Sequence, residues 1–585
     1  MTPHTTASSP QTQRQDLQCD VLVIGSGAGG LATAVTAAKL GLDVVVIEKE
    51  PVYGGTTAWS GGWMWIPRNP LALRGGIRED RSAPLAYLRQ EIGEHYSASH
   101  VEAFLDHGPA MIEFFERHTA LRFVDGNAVP DFHGNTPHAA LGGRSVSVQP
   151  FDARELGPHG RDMRPPLDLI SLWGMGIASG AELRHFLRAM RSLSSFAYVT
   201  RRVLGHWRDL LVHGRGMRLV NGNALAARLA KSAFDAGVRV LTSHAARRLI
   251  EQDGRVAGAV VQTPAGEITV RAGRAVVLAC GGFPHDVERK KALFDHAPTG
   301  REHWSAAVPS CTGDGLRLGE SVGARLEHRT DSPGAWAPVS LVPRADGSQG
   351  VYPHLIERAK PGVVAVTAQG KRFVNEADSY FDFMEALLKT VPPGQTVHAW
   401  LLCDHRFIRR YGLGAAKPAP MPFGHLIRSG YLKRADDLAQ LAQACGIDSV
   451  ALQATVAQYN LHARSGHDPL FAKGQTAYNR VQGDPTHAPN PCMAPIEHGP
   501  FYAVRIVPGS LGTFTGLRTD ASARVLDARD QPIAGLYACG NDMHSVMGGR
   551  YPSGGITLGP ALTFGFIAAH DMAGVPLQSA YPQAA

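Results

Sequence analysis

The chain has 585 residues, 44% of them apolar and 19% charged, with a formal charge of +7 and seven cysteines, none in a CxxC pair. That length carries two or more domains with large buried cores, and the balance is ordinary for a globular protein. The charge is spread thinly, with no Lys/Arg block or zinc-finger spacing to indicate nucleic acid, and few scattered thiols argue for a reduced, cytoplasmic setting rather than a disulfide scaffold. No apolar run reaches membrane-spanning length. Peripheral membrane contact for delivery of a greasy substrate stays open.

Residues 1–16 are polar, lack the apolar core of a secretory signal, and read as a disordered lead-in. Asp20 to Ile24 then reads as a short buried strand. Gly25, Gly27 and Gly30 follow with GxGxxG spacing, enclosing Ala28 and Gly29, and an Ala-rich helix leads to a second strand, Leu42 to Ile47. Glu48 and Lys49 stand at its end. This is the strand, turn, helix, strand, acid order of a dinucleotide site. Gly25 makes the tight turn, Gly27 admits the pyrophosphate, Gly30 lets helix and strand pack, and the helix N-terminus attracts phosphate. Glu48 can accept both ribose hydroxyls. The motif does not choose between FAD and NAD. GGTTAWSGG, Gly54 to Gly62, helps with that choice: Gly55, Thr56, Thr57, Ser60, Gly61 and Gly62 can wrap a second phosphate or lie against a flat ring, which an NAD domain does not need.

The segment from 83 to 220 contains helix-like runs such as HVEAFLDHGPAMIEFFERHTA, suited to covering the cofactor and part of a substrate channel. Gly254 to Gly282 reads as a hairpin and a buried strand, Ala275 to Ala279. Asp314 lies in CTGDGLRLG, and 413 to 424 reads as a loop. Pro532 to Asp542 reads as a buried strand ending at Gly540 and Asn541. Asp542 can reach a ribityl hydroxyl or form a turn. GGRYPSGGITLGP, Gly548 to Pro560, then precedes an apolar helix starting near Gly559. Gly282, Asp314, Gly540, Asn541, Gly554, Thr557 and Leu558 are added to the cofactor set. No metal site is indicated.

GSGAGG, GGTTAWSGG, CTGDGLRLG, GKRFVNE, LYACGN and GGRYPSGGITLGPALTFGFIAA together resemble the FAD-dependent 3-ketosteroid 1-dehydrogenases and their close relatives, within the fumarate reductase and succinate dehydrogenase flavoproteins. The resemblance implies an α/β, Rossmann-like FAD-binding domain that is discontinuous, residues 17–290 and 505–585, with an inserted α+β catalytic domain, residues 291–504. It implies FAD as cofactor, a hydrophobic ring-ketone substrate, and oxidation of a ring C–C bond beside the ketone. The attacked bond stays open: the 1,2 bond of a 3-ketosteroid, the 4,5 bond of a 5α-3-ketosteroid, or a bond of a smaller cyclic ketone.

By the same resemblance, Tyr551 and the N–H of Gly555 bind the ketone oxygen and promote enolisation, as an oxyanion hole does. Tyr380, shortly after RFVNE, is the base. A phenol needs a stabilised anion or a proton acceptor for that work. The family's partner tyrosine falls at Phe132, which has no hydroxyl, and His133 is the substitute relay. Arg372, Asn375 and Glu376 are expected to hold the two domains and flavin together. No histidine stands in a covalent-attachment motif, so FAD is expected to be non-covalent. With no second GxGxxG, electrons should pass to an external acceptor such as a quinone. Two rival readings remain: a fumarate-type enoate reductase gripping a dicarboxylate with Arg550, Arg372, His544 and His398, and a non-catalytic flavin-binding protein.

Overall fold

In the computed structural model, residues 16–577 are described. The expected lead-in, residues 1–16, lies almost wholly outside them. Strand β1 (Leu17–Ile24) turns through the glycine loop into helix α1 (Ala28–Lys39) and returns as β2 (Val44–Ile47). All four residues of β2 are buried, and Val21 to Val23 have no exposed surface, so both faces of this sheet are covered. Helix α2 (Asn221–Asp235) leads to β3 (Arg239–Leu241), and the hairpin partners β4 (Ala245–Gln252) and β5 (Arg255–Thr263) precede β6 (Gly266–Leu278).

A second sheet is built from β7 (Val363–Val366), β8 (Ala399–Asp404), β9 (Leu432–Ala435) and β10 (Phe501–Ile506). It is antiparallel in the order β7-β8-β10-β9. Helix α3 (Tyr380–Thr390) lies between its first two strands, and α4 (Ala477–Gln482) shortly before its last. The chain then returns to the first sheet. Strands β11 (Arg524–Leu526) and β12 (Pro532–Ala538) complete the order β11-β12-β6-β1-β2-β3, with β5 pairing β6 and β4 pairing β5. β12, β6, β1, β2 and β3 are mutually parallel.

The final helix, α5 (Leu558–Ala573), is apolar on nearly all sides because it is buried. It packs closely on α1. A Cβ on Gly565 would lie 2.8 Å from Gly29 O, and one on Gly29 would lie 3.0 Å from Cys539 Sγ. A bulkier residue at Gly565 would push α5 away from the glycine loop, and one at Gly29 would press on Cys539 at the end of β12. The long run after His100 forms a helix over Ala98–His118, and the loop expected over 413–424 runs to 423, Gly424 starting a short helix. Among the described residues, no helix is long and apolar enough to cross a membrane.

Candidate active site and cofactor cleft

The GxGxxG loop has the shape its glycines require. At Gly25 (φ +111°) a Cβ would meet Ala279 O at 2.2 Å, and at Gly30 it would meet Gly25 O at 2.1 Å. Gly27, the N-cap of α1, has no such neighbour; a Cβ there meets only Thr57 Oγ1 at 3.7 Å, so this face opens into the cleft. No side chain caps α1 at Gly27, leaving its N-terminal dipole for a ligand. Thr57 Oγ1 accepts from Ala28 N at 2.9 Å. A Cβ on Gly55 would lie 3.4 Å from Gly27 Cα, so the second loop rests on the first.

Glu48 ties these parts together. Its Oε2 accepts from Ser26 N (3.2 Å) and Ser26 Oγ (2.6 Å), and Oε1 accepts from Glu50 N (3.0 Å). Ser26 Oγ in turn accepts from Gly54 N at 3.0 Å. The carboxylate thus orients both loops and keeps lone pairs for ribose hydroxyls. A glycine cradle, a helix N-terminus whose first N–H alone is taken by Thr57, and a fixed acid fit the FAD dinucleotide.

Several expected contacts take other roles. Lys49 forms an ion pair with Asp314 and donates to Thr312 Oγ1 at 3.0 Å, bracing the acidic strand end against the Asp314–Glu320 helix. Thr56 Oγ1 accepts from Val308 N at 3.2 Å. The far half of GGTTAWSGG is packed by the start of α2. Ser60 O accepts from Gly222 N at 3.0 Å, a Cβ on Gly62 would lie 2.5 Å from Asn221 C, and Gly61 faces Trp63. Asp542 does not reach out to a ribityl chain; its buried carboxylate accepts from Cys280 N (2.5 Å) and Gly282 N (2.9 Å). Gly540 and Asn541 do line open space. With Thr513, Phe514, Thr557 and Pro560 they border a small cleft at the N-terminus of α5, which Leu558 begins.

Beyond α5's N-terminus lies a cage of aromatic rings. Tyr551 is 3% exposed. Phe132 stacks on it at 5.7 Å and 14°, Tyr380 meets it at 5.1 Å and 81°, and Phe381 and Phe514 each lie 5.8 Å away. Burial pushes the Tyr551 phenol up to about 12, against the hydroxyls of Tyr380 and Thr557. It therefore stays protonated as a donor. Gly555 lies four positions on, with φ +104°. Its carbonyl accepts from Trp65 N (3.1 Å) and Gly559 N (2.9 Å), and a Cβ would press to 2.7 Å on the Trp63 carbonyl. Among the described residues no hydrogen bond uses the Gly555 N–H, which leaves a second donor on the loop. Gly554 packs against Phe132, at 3.5 Å for an added Cβ.

Burial drives the Tyr380 phenol well above its ordinary range. The nearby phenols of Tyr551 and Tyr478 act the same way, and the Arg358 guanidinium opposes them. Sequence reading missed the last two. Tyr478, on α4, packs on Phe132 at 4.6 Å. It sits in an ordinary helical run, and only the fold brings it beside Tyr380.

His133 is not a free relay. Its Nδ1 pairs with Glu91 and its Nε2 with Asp382 Oδ2 at 3.0 Å. These carboxylates overcome the desolvation of the ring and raise it to about 11, so it stays an imidazolium at neutral pH. Its place is that of a clamp between the Phe132 loop and α3. The rest of that loop is fixed by Asp131, which accepts from Trp65 Nε1 (2.8 Å) and Arg144 Nη1 (2.6 Å).

GKRFVNE braces the second sheet rather than the flavin. Arg372 Nη2 pairs with Glu376 (2.7 Å) and Asp468 (2.9 Å), and Lys473 with Glu376 (3.1 Å). These cations hold the Glu376 carboxyl down at about 2, against its burial. Asn375 Nδ2 donates to Asp378 Oδ1 (3.0 Å) and Asn479 Oδ1 (2.9 Å), joining α4 to the segment before Tyr380. The groups considered for gripping a dicarboxylate are engaged or unsuited. Arg550 pairs with Asp331 at 2.5 Å, His398 Nδ1 bonds Thr396 O at 3.0 Å, and burial lowers His544 to about 4.

The family model described as "FAD binding domain" matches residues 20–558. The chain is 40% identical over 564 residues to 4-oxocyclohex-2-ene-1-carboxylate 5-dehydrogenase of Sinomonas cyclohexanicum, covering 96% of this chain and 95% of that one. It is 37% identical over 570 residues to 3-oxosteroid 1-dehydrogenase of Mycolicibacterium smegmatis, covering 95% and 97%. The crystal structure of 3-ketosteroid delta1-dehydrogenase from Sterolibacterium denitrificans, in complex with 1,4-androstadiene-3,17-dione, superposes with a TM-score of 0.86 at 35% identity, over 95% of this chain and 99% of that one.

Proposed function

The chain belongs to the FAD-dependent 3-oxosteroid 1-dehydrogenase family of fumarate reductase-type flavoproteins, and from that premise we propose that it is an oxidoreductase that desaturates a ring C–C bond beside a ketone, with a 3-ketosteroid 1,2 bond as the first reading. The observation that carries the mechanism is the Tyr551–Tyr380 pair at 5.1 Å, beside the unengaged N–H of Gly555.

Tyr551, held protonated by burial, donates to the ketone oxygen together with Gly555 N–H. Polarising that oxygen acidifies the α-hydrogen, and Tyr380 removes it as a proton in its phenolate form, which burial opposes and the Arg358 charge favours. The chemistry that bound FAD would supply is a hydride acceptor for the β-hydrogen. The aromatic cage orients the ring and excludes water, which strengthens both donors. Gly25, Gly27, Gly29, Gly30, Ala28, Glu48, Gly55 and Thr57 would hold the dinucleotide, and Gly540, Asn541, Gly554, Thr557 and Leu558 the flavin end.

The domain division, 17–290 with 505–585 around 291–504, is supported by the return of β11 and β12 to the sheet of β1. A quinone or similar external acceptor suits the reduced cofactor. Peripheral membrane contact is supported by the Leu193–His213 helix, which exposes Leu193, Phe196, Leu204, Trp207 and Leu211 among arginines. An anionic-vesicle sedimentation assay tests it; no binding rejects it.

A second reading, a small ring ketone bearing a carboxylate, draws on the 40% identical relative and on Phe132 stacked flat against Tyr551. Anaerobic bleaching of the flavin by a panel of 3-ketosteroids and oxocyclohexane carboxylates, with product identification, decides between the two. Bleaching by no ring ketone, with turnover of an unsaturated dicarboxylate, would replace both by the reductase reading. The paired state of Arg372 and Arg550 weighs against that outcome.

A further inference from the structure

Two histidines outside the catalytic cage form a chain that ends on a wall of the cofactor cleft. His296 Nε2 and His303 Nδ1 face each other at 2.9 Å, and His303 Nε2 meets Ser510 Oγ at 2.9 Å. His303 and Ser510 are buried. Aromatic rings enclose the pair: Phe294 lies 4.8 Å from His303, and Trp336 lies 5.2 Å from each histidine. Ring nitrogens that face at this distance share one proton. A second proton would set two N–H groups against each other in an apolar box, where a charge without a counter-ion is costly. The pair therefore keeps its contact only while both rings are neutral.

Ser510 lies in a three-stranded sheet that joins the inserted segment to the returning one. Strand Gly509–Thr513 pairs with Trp304–Ser305 on one side and with Gly334–Trp336 on the other. Ser510 O accepts from Ser305 Oγ (3.0 Å) and Ala306 N (2.9 Å), while His303 holds the Ser510 hydroxyl. The far end of the same strand forms part of the cleft. A Cβ on Gly512 would lie 2.4 Å from Asn541 Nδ2, and one on Gly282 would lie 2.1 Å from Thr513 Oγ1. Phe514, the next residue, meets the Tyr551 ring at 5.8 Å.

We propose that the His296–His303 pair is an acid-sensitive pin on the cofactor cleft: neutral, it holds the Gly509–Thr513 strand against Asn541 and Gly282, and on protonation it releases that strand and the flavin with it. The groups that face the pair are Lys290, whose Nζ donates to His303 O at 3.0 Å, His285, whose Nε2 bonds Ala307 O at 3.0 Å, and the carboxylates of Asp295 and Glu302. The strands Gly509–Thr513 and Gly334–Trp336 carry no charged residue. Burial lowers His296 to about 4, with Asp295 and Glu302 opposing it and Lys290 adding to it. Burial, and then His296, Lys290 and His285, hold His303 well below the ordinary imidazole range. The opened chain thus binds protons that the closed pair refuses. The hold of the pin is full above the ordinary histidine range, about 6.5, and is lost as pH falls from there toward about 4.

The pin rests on the reading of this cleft as the FAD site, and the test keeps the two apart. Wild-type, His296→Gln, His303→Asn and Ser510→Ala holoenzymes are equilibrated from about pH 8 to about pH 4.5, the range in which histidine titrates. Free flavin is read by fluorescence after ultrafiltration, and unfolding by thermal melts. Wild type should release FAD reversibly below about pH 6, with a slope of about two protons per flavin. His296→Gln and His303→Asn should keep FAD at neutral pH, and each should remove about one proton from that slope, which lost packing alone would not do. Ser510→Ala keeps both histidines but strips one partner from the neutral pair, so its release midpoint should rise by about half a pH unit with the slope unchanged. Wild type that keeps its FAD to about pH 4.5, or a slope unchanged in both histidine variants, overturns the proposal. Should both histidine variants lose FAD at neutral pH, Ser510→Ala decides: a raised midpoint upholds the pin and an unmoved one overturns it. Wild type that carries no FAD at any pH overturns the cofactor reading instead. The melts need no flavin, and a pH dependence of melting that both histidine variants share with wild type then overturns the pin as well.

Discussion

Replacing Tyr551 by Phe removes one hydroxyl from a cage of five rings and little else. Phe132, Tyr380, Phe381 and Phe514 contact the ring, not its oxygen, so their packing survives. The hydroxyl's ground-state interactions, with Tyr380 and Thr557, are worth ~1 kcal/mol in folding. In the transition state the same hydroxyl is one of two donors on a developing oxyanion in a dry site. Loss of one such donor costs ~2.7–4 kcal/mol, or about 10²–10³ in rate. The variant should therefore bind FAD normally and unfold within a few degrees of wild type, while flavin reduction by a ring ketone falls at least about 100-fold. Stopped-flow reduction, read beside the flavin spectrum and thermal melt, makes the comparison. Reduction within about three-fold of wild type, well inside the range for a lost oxyanion donor, would mean that the ketone oxygen is held elsewhere.

The remaining expectations are briefer. Gly30→Ala should yield colourless protein or none, since its Cβ would meet Gly25 O at 2.1 Å; retained flavin absorbance would contradict that geometry. Acid precipitation of the native protein should leave the flavin in the supernatant, as a non-covalent FAD requires, and a yellow pellet would reverse that reading. His133→Gln should leave no missing titration between pH 6 and 8, because the imidazolium is held up to about 11; a vanished limb in the activity profile would restore His133 as relay. Glu376→Gln strips the shared partner from Arg372 and Lys473 and should cost ~3–5 kcal/mol in denaturant melts. Because the Glu376 carboxyl is depressed to about 2, its contribution is full above the ordinary carboxylate range and is lost as pH falls through about 2. Acid unfolding of the variant should therefore lack that component.

What sequence determines here is local and covalent in origin. A strand ending in Gly25 and continuing through Gly27 and Gly30 has few other shapes open to it, because the glycines answer steric demands within a few residues. Glu48 at the end of its strand, the hairpin before β6, and the glycine-rich loop that carries Tyr551 and Gly555 into α5 were legible for the same reason. The pairing of side chains far apart in the chain was not legible. Nothing in the local pattern separates a ribityl ligand from the Asp542 that binds Cys280 and Gly282. Nor does it mark Lys49 and Asp314 as partners to each other, or His133 as a cation between two acids. Tyr478 and Arg358 lie in runs with no distinguishing spacing. They acquire meaning only when the fold carries α4 and the Arg358 turn to the start of α3, where burial strips away water and makes each neighbouring charge count.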